Sequence, residues 1–368
     1  APTQCRSKGS ADVAMPEFTP QRLTVARRRI GLTITALARE TDLSTRIISA
    51  YENGAAEPSE ATLLALAERL QVRPGFFARP EVEEVPLEAV SFRALSKMTA
   101  RQRDAALDTG AQIVEFDRWL SSKFRFPAPE LPTLPGYSPE TAAATVRAKW
   151  GLGEQPIRSV VQLLEAHGVR IYALREDLRD LDAFSFVIDG NPFVLMSTRK
   201  SGERGRFDAA HELGHLVLHC EHEEPRGQDA ENEANRFAAA LLMPADSVMA
   251  AGLRNATVAT ILHAKRAWGV AAMALAHRLR ELDLLTDWGY RDVCVQLSRA
   301  GYRRGEPGGM PREHSERLRQ VLALLREERI SLRDLADQFE IAAAEVRSWL
   351  LGLTTLPAPR SASSPTGG

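Results

Sequence analysis

The sequence is poor in several features that would each impose a class of protein. Its 368 residues include only three cysteines, Cys5, Cys220 and Cys294, which are scattered without paired spacing. That pattern argues against a disulfide framework and fits a reducing compartment. No stretch approaches eighteen consecutive apolar residues, and the N-terminus lacks the apolar core of a signal peptide. These absences predict a cytoplasmic protein that neither crosses a membrane nor is secreted.

The chain also has almost no net charge. Its acidic and basic residues nearly cancel, leaving −1 at pH 7, which excludes binding of nucleic acid through a global positive field. Any contact with DNA must therefore come from a local basic patch. What the sequence does have is 44% hydrophobic and 26% charged residues, as globular proteins do, and enough length for two or three domains.

The most informative stretch is RFDAAHELGHLVLH, residues 206–219. Helix-forming and apolar residues surround His211, Glu212 and His215, and no proline interrupts them. Positions four residues apart lie one above the other on a helix, so the two histidines can offer two imidazole nitrogens to one ion. Glu212 lies one step round the helix, where it can act on a water molecule without being a ligand. This His-Glu-x-x-His spacing is typical of zinc metallopeptidases that use the glutamate as general base.

Catalytic zinc needs a third protein ligand and one open position. The metzincin pattern fails, because Glu221 stands where its third histidine would be. The better candidate is Glu231, in the helical stretch QDAENEANRFAAALLMP. Asn235, one turn later, could hydrogen-bond a ligating histidine and hold its orientation. Further candidate ligands are Glu233, which is expected on another side of that helix, and His219, Cys220 and His222.

Residues 200–244 resemble the ImmA/IrrE family of metallopeptidases, through KSGERGRFDAAHELGHLVLH followed by ENEANRFAAALLMP. The resemblance implies a gluzincin-like site in which His211, His215 and Glu231 bind the metal and Glu212 is the catalytic base. It also implies a protein substrate, since family members cleave helix-turn-helix repressors. Two histidines and one glutamate favour zinc, although manganese can occupy such sites. Similar proteins often carry aspartate at the position of Asn235, and an amide there adds no negative charge.

The N-terminal part of the chain is predicted to be a small helical domain over residues 20–79. Thr33 and Ser44 are good N-caps, and Gly31 and Gly54 fall where helices end. The second and third helices, joined by a short connection, resemble the helix-turn-helix of Cro/C1-type (XRE) domains. The four predicted helices are 20–29, 34–41, 45–53 and 59–70.

This second resemblance implies that residues 45–53 are the recognition helix, with Thr45, Arg46 and Ser49 facing base edges in the major groove. Thr33 would meet a DNA phosphate through its hydroxyl and the N–H groups of the helix terminus. Because paired recognition helices read two half-sites, the chain is expected to be a homodimer on a double-stranded DNA operator. A basic triplet adds local positive charge for the DNA backbone; it consists of Arg27, Arg28 and Arg29.

The remaining segments complete a fold class that is mainly α with a small β-sheet (α+β). Residues 80–138 are predicted to be an acidic linker followed by one long helix. Residues 139–287 form the metallopeptidase domain, whose sheet offers an edge along which an extended peptide could lie. Its predicted strands are 169–174, 183–188 and 192–197.

The C-terminal residues 288–353 are predicted to be a helical module. Its mixed charge gives no clear basic face, which favours contact with protein rather than DNA. The two ends of the chain, residues 1–19 and 354–368, are expected to be a disordered extension and a disordered tail.

Together these patterns predict a transcriptional regulator that carries a zinc metalloendopeptidase domain. Its substrate would be a helix-turn-helix repressor or the chain itself, cleaved in the connector near Glu81–Pro86. The alternative hypothesis is a regulator whose metallopeptidase-like domain senses a ligand or a metal without proteolysis.

Overall fold

Short capped helices begin the fold. In the computed structural model, which describes residues 17–86, 98–175, 178, 181–219, 227–351 and 353–354, the N-cap hydroxyls of the second, third and fourth helices each accept the backbone N–H three residues on. Thr33, Ser44 and Ser59 are these caps, and they stop the helices from extending backwards. The helices are α1 (Pro20–Arg29), α2 (Ile34–Glu40), α3 (Thr45–Glu52) and α4 (Glu60–Leu70), followed by a 3-10 helix (Pro74–Ala78).

A long helix, α5 (Ala100–Lys123), joins this bundle to the rest of the molecule. Thr99 and Gln102 form a reciprocal capping box at its start. Towards the bundle, Glu115 accepts two hydrogen bonds from the guanidinium of Arg22, at 3.0 and 2.9 Å. On another side of α5, Asp117 accepts a hydrogen bond from the hydroxyl of Tyr172 at 2.5 Å. One helix therefore contacts both the N-terminal bundle and the sheet.

The sheet of the described residues has three strands in the order β1-β3-β2. The strands are β1 (Arg170–Ala173), β2 (Ala183–Ile188) and β3 (Asn191–Met196), close to the predicted ranges. β1 pairs with β3 in parallel and β2 pairs with β3 antiparallel, through a tight turn at Asp189 and Gly190 with positive φ at both.

Both faces of this sheet are covered. The side chains of Tyr172, Phe186 and Phe193 share one face by the strand register, and this face packs on α5 near Gly110. Ser185 points to the opposite face, where helix α8 lies. Two short helices, α6 (Pro139–Lys149) and α7 (Val160–Ala166), precede the sheet.

The helical remainder of the chain follows the sheet. Helix α8 carries the His-Glu-x-x-His motif, and α9 carries the predicted third ligand. None of the helices in the described ranges is long and apolar enough to cross a membrane. These helices are α8 (Gly202–Leu218), α9 (Gln228–Leu242), α10 (Ala245–Ala250), α11 (Val258–Trp268), α12 (Ala272–Glu281), α13 (Asp287–Arg299), α14 (Glu316–Glu327), α15 (Leu332–Phe339) and α16 (Ala343–Leu351). The mainly α architecture with one small sheet agrees with the sequence prediction.

The C-terminal helices dock on the N-terminal bundle. Glu345 of α16 forms ion pairs with Arg29 of α1 and with Arg175, the latter at 2.8 Å. Val72 and Ile341 form an isolated antiparallel bridge between the two regions. The C-terminal module therefore packs against the N-terminal bundle of the same chain, and its contact with another protein stays a prediction.

Helix α5 also buries an acid that lacks a cation close enough to neutralise it. Asp108 is 8% exposed, and its Oδ2 has no hydrogen-bond partner among the described residues. Burial raises the pKa of Asp108 to about 7, although the charge of Arg28 opposes the shift. The native state thus favours the protonated acid.

We expect the Asp108→Asn variant to gain stability relative to the wild type as pH rises. A carboxyl group whose pKa is higher in the native state stabilises the fold only when protonated, and this contribution is lost as pH rises through the native pKa. From pH 5 to pH 8.5 the difference in unfolding free energy should change by about 2–3 kcal/mol in favour of the variant. Urea unfolding at both pH values measures it. Asp104→Asn, on the half-exposed side of the same helix, is the control, and an equal change in both variants would contradict the assignment.

Candidate functional site

The candidate site depends on a close crossing of helices α8 and α9. Gly214 lies on α8 where a Cβ atom would come within 3.1 Å of both Ala234 Cα and Phe237 Cδ1. Glycine has no Cβ, so the two backbones can approach at this point. The crossing brings the second turn of α9 opposite the histidines of α8.

Three predicted ligands meet at this crossing. One ligand atom from each of His211, His215 and Glu231 lies within 4.8 Å of the others. The Nε2 atoms of the two histidines are 3.1 Å apart, and the carboxylate oxygens of Glu231 lie 3.4 Å from His211 Nε2 and 3.2 Å from His215 Nε2. The side chains of all three are largely buried. Two imidazoles and one carboxylate on neighbouring helices can therefore face a single cation.

The other ring nitrogens of both histidines are held by hydrogen bonds. Asn235 Oδ1 lies 3.0 Å from His211 Nδ1, the contact expected from the spacing of Glu231 and Asn235. An amide oxygen only accepts, so His211 carries its proton on Nδ1 and leaves the Nε2 lone pair free for a cation. His215 Nδ1 contacts His219 Nδ1 at 2.9 Å, and His219 Nε2 contacts Glu233 Oε2 at 3.0 Å. Because Glu233 accepts from His219 Nε2, His219 Nδ1 is the acceptor for His215. His215 therefore also carries its proton on Nδ1 and leaves its Nε2 lone pair free.

The rival ligand candidates have other positions. His219 and Glu233 lie behind His215, on its Nδ1 side, and not beside its Nε2 atom. Cys220 and His222 lie outside the described residues. His219 was predicted only as a further candidate ligand, and the hydrogen-bonded series from His215 through His219 to Glu233 was not predicted. Its signal was the i, i+4 spacing of the two histidines.

The carboxylate of Glu212 is held from the sheet. Ser185 of β2 donates a hydrogen bond from its hydroxyl to Glu212 Oε2 at 2.7 Å, and both residues are only 3% exposed. Burial raises the pKa of Glu212 to about 7, against the charge of His211 and the Ser185 hydrogen bond. Sequence reasoning missed Ser185. It is the one hydroxyl residue of the strand AFSFVI, and it lies on the face of the sheet that packs on α8.

The protonation of the three clustered side chains follows from burial and their mutual contacts. Burial lowers the pKa of His215 to about 4, which keeps its imidazole neutral at pH 7. Burial alone would raise the pKa of Glu231, but hydrogen bonds with His211 and His215 lower it below its usual range. Burial opposes a charge on His211, yet contact with Glu231 and the nearby Glu212 raise its pKa. A neutral imidazole and an ionised carboxylate are the forms that bind divalent metals.

These elements define a class: a metallopeptidase-like domain that follows a helix-turn-helix bundle. Comparison with protein families supports both parts. Residues 164–280 match the model of the IrrE N-terminal-like domain, and residues 25–77 match a helix-turn-helix model. The chain thus combines an XRE-type helix-turn-helix with an ImmA/IrrE-type metallopeptidase-like domain, and the family implies a divalent metal. A search of curated proteins finds no match.

The predicted DNA-contacting residues fall into two groups. Thr33, Thr45 and Arg46 are exposed, and Ser49 is half-buried on the recognition helix. Arg27, by contrast, is 8% exposed, and its guanidinium is bound by Glu52 and by the carbonyl of Leu32 at 2.8 Å.

The prediction that Arg27 contacts the DNA backbone is therefore wrong, because its charge is neutralised inside the bundle. Arg29 is likewise buried against Glu345. Arg28 is the member of the triplet that stays partly exposed, with Asp104 at 4.0 Å.

We expect the Gly214→Val variant to weaken the binding of Zn²⁺ or Mn²⁺ by at least about tenfold, because added carbons would separate Glu231 from the two histidines. Competition with a chromophoric chelator measures the affinity, and circular dichroism checks folding. Gly205→Ala is the matched control on the same helix, since its Cβ would meet only Met196 Cε at 4.0 Å. The control should bind metal normally and gain about 0.5–1 kcal/mol of stability. Unchanged metal affinity in Gly214→Val would show that the crossing does not position the ligands.

Proposed function

We propose that this protein is a DNA-binding transcriptional regulator whose second domain is a zinc metalloendopeptidase. The observation that carries the proposal is the convergence of His211, His215 and Glu231, with the buried Glu212 next to them on the same helix. DNA binding rests on the helix-turn-helix match and on the exposed start of the recognition helix.

The donor set fits zinc. Two imidazole nitrogens and one carboxylate are a common catalytic zinc set, and they leave the fourth position open. His211, His215 and Glu231 would hold the ion, while Asn235 and His219 orient the two rings. Manganese is the second candidate, because carboxylate and imidazole donors also suit it.

The chemistry divides between the ion and the side chains. When bound, zinc supplies Lewis acidity, which polarises a carbonyl group and makes water more acidic. Glu212 takes a proton from the attacking water and delivers it to the leaving amine, as a general base and then a general acid. A carboxyl group with a pKa near 7 suits both directions of transfer. Ser185 holds one oxygen of Glu212 and so restricts the direction of the other.

We infer that a protein substrate lies along strand β2. Among the described strands β2 pairs only with β3, so its other edge has backbone groups available for strand addition. Val187 on this strand is 45% exposed. Ser185 of the same strand hydrogen-bonds Glu212, and this closeness of the strand to the candidate base supports the assignment. An extended segment of a helix-turn-helix repressor is the substrate that the family likeness suggests.

We propose cleavage of another molecule rather than of the connector Glu81–Pro86. Gln21 holds both the amide and the carbonyl of Val82, each at 2.8 Å. Val82 and Val85 are 5% exposed, and Glu83 pairs with Arg118. A peptide has to leave these contacts before it can extend along a strand, so the chain's own connector is a poor substrate.

The regulator would act as a homodimer on a double-stranded operator in the cytoplasm. Thr45, Arg46 and Ser49 would face base edges, and Thr33 and Arg28 would contact phosphates. A symmetric pair of recognition helices matches a palindromic site.

We expect Glu212→Gln to lower the rate of proteolysis at least about a hundredfold, while the metal content stays near that of the wild type. Glutamine keeps the size of the side chain but cannot carry the proton. Elemental analysis gives the metal content, and mapping of new protein N-termini in cells gives the cleavage. Glu327→Gln, an exposed carboxylate of α14, is the control.

Regulation that is unchanged in Glu212→Gln, with no cleavage product in the wild type, would favour the alternative of a regulator that senses a ligand or metal.

We expect Arg46→Ala to weaken specific DNA binding by about 10–100-fold, because a base-contacting arginine contributes about 1–3 kcal/mol. The operator is first selected from random duplexes, and affinity is measured by fluorescence anisotropy at constant salt. Arg299→Ala, on the exposed end of α13, should bind as the wild type does. If both variants bind equally well, residues 45–53 are not the recognition helix.

A further inference from the structure

A second cleft, of about 440 Å³, lies away from the three clustered ligands. It opens between the first turns of α8, the C-terminal end of α11 and the segment Gly308–Met310. We call it the arginine cleft, after the cationic side chains that line it: Arg158, Arg206, Lys265 and Arg266. None of His211, His215, Glu231 or Glu212 lines it, so it is not part of the peptidase centre.

The innermost cation of the arginine cleft is Arg206, which is 2% exposed. Its terminal nitrogens donate to Glu313 and to the carbonyls of Ile157 and Arg158. Its Nε has no hydrogen-bond partner among the described residues. A buried donor left without an acceptor destabilises the fold, because its hydrogen bond to water is lost and not replaced. This loss predicts an acceptor that enters the cleft.

The space beside this nitrogen is kept open by a glycine. Gly269 has φ +62°, and a Cβ there would lie 3.5 Å from Arg206 Nε and 3.0 Å from Met310 Sδ. Any other residue would therefore fill the space beside the nitrogen, press on Met310 Sδ and strain the backbone. The unpartnered N–H thus faces a gap that the fold preserves.

The charges of the cleft leave positive potential at its mouth. Lys265 is more than neutralised, because two carboxylates, Glu203 Oε1 and Glu306 Oε2, lie 3.0 Å from its ammonium, and Glu203 also lines the cleft. Arg158 and Arg266 are exposed, and within the described ranges no carboxylate lies within 4 Å of either guanidinium. Two uncompensated guanidinium groups above a buried N–H donor match an oxygen-rich anion.

We propose that the arginine cleft binds a small organic anion through its carboxylate or phosphate group. Arg206 Nε donates to the anion from below, and Arg158 and Arg266 neutralise it from the rim. A volume of about 440 Å³ suits a metabolite-sized molecule. This site is independent of the proposed peptidase activity and would give the regulator a small-molecule input.

The arginine cleft adjoins α8, the helix that carries the predicted metal ligands His211 and His215 and that we call the metal helix. Arg206 belongs to α8, the helix of His211, and Gly308–Met310 continues into Pro311, whose carbonyl would be 2.5 Å from a Cβ at Gly202. The anion would therefore contact both the start of the metal helix and the segment that covers it.

Isothermal titration calorimetry of the full chain with inorganic phosphate, succinate and citrate in 0.15 M NaCl tests the proposal. We expect saturable one-site binding of at least one of these probes. Arg266→Gln should weaken it about tenfold, the loss of one charge-assisted contact. Ala267→Phe, which fills the cleft without touching the buried ion pairs, should abolish it.

Arg299→Gln is the matched control, an exposed arginine in the last turn of α13, as Arg266 is in the last turn of α11. It should bind the probe with wild-type affinity, and thermal unfolding should show that all three variants are folded. The proposal is overturned if none of the three probes binds saturably, if folded Ala267→Phe binds as tightly as the wild type, or if Arg299→Gln weakens binding as much as Arg266→Gln.

Discussion

The close crossing of α8 and α9 at Gly214 is the constraint on which the candidate metal site depends. Ligands on two separate helices can face one ion only if the helix axes approach, and a side chain at this position would hold them apart. The same approach lets Asn235 reach His211 and lets Glu233 reach His219. One missing Cβ thus determines both the ligand cluster and the hydrogen bonds that orient it.

The small sheet lies between the candidate metal site and the long helix that contacts the N-terminal bundle. One face meets α8, where Ser185 holds Glu212, and the other face meets α5, where Asp117 binds Tyr172. Helix α5 in turn binds the DNA-reading bundle through Glu115 and Arg22. A continuous series of packed and hydrogen-bonded groups therefore runs from the helix-turn-helix to the candidate base. Such a series is a physical route between DNA binding and the proposed peptidase chemistry.

Local patterns predicted much of this molecule. Helix starts agreed where a predicted hydroxyl cap was present, as at Thr33 and Ser44, because a cap is encoded within three residues. The cluster of His211, His215 and Glu231, with Asn235 behind it, followed from helical spacing. These features depend on residues within a few positions of one another, so the local sequence is enough to predict them.

The missed features depend on partners far away in sequence. Arg27 looked like part of a basic surface, but Glu52 neutralises it. The role of Ser185 requires knowing that β2 lies beside α8, and the docking of the C-terminal module depends on Glu345 reaching Arg29. Spacing along the chain contains no information about such pairs.

The bridge between Val72 and Ile341, together with the ion pair of Arg29 and Glu345, attaches the DNA-reading bundle to the far end of the chain. The bundle is therefore held against the C-terminal helices and is not joined to the rest of the chain by a flexible linker alone. In any symmetric pair of these chains, the distance between the two reading helices would be set by the shape of the whole body. Operators with one fixed separation between half-sites, near one turn of the double helix or a multiple of it, would be accepted, and an insertion of a few base pairs would be rejected.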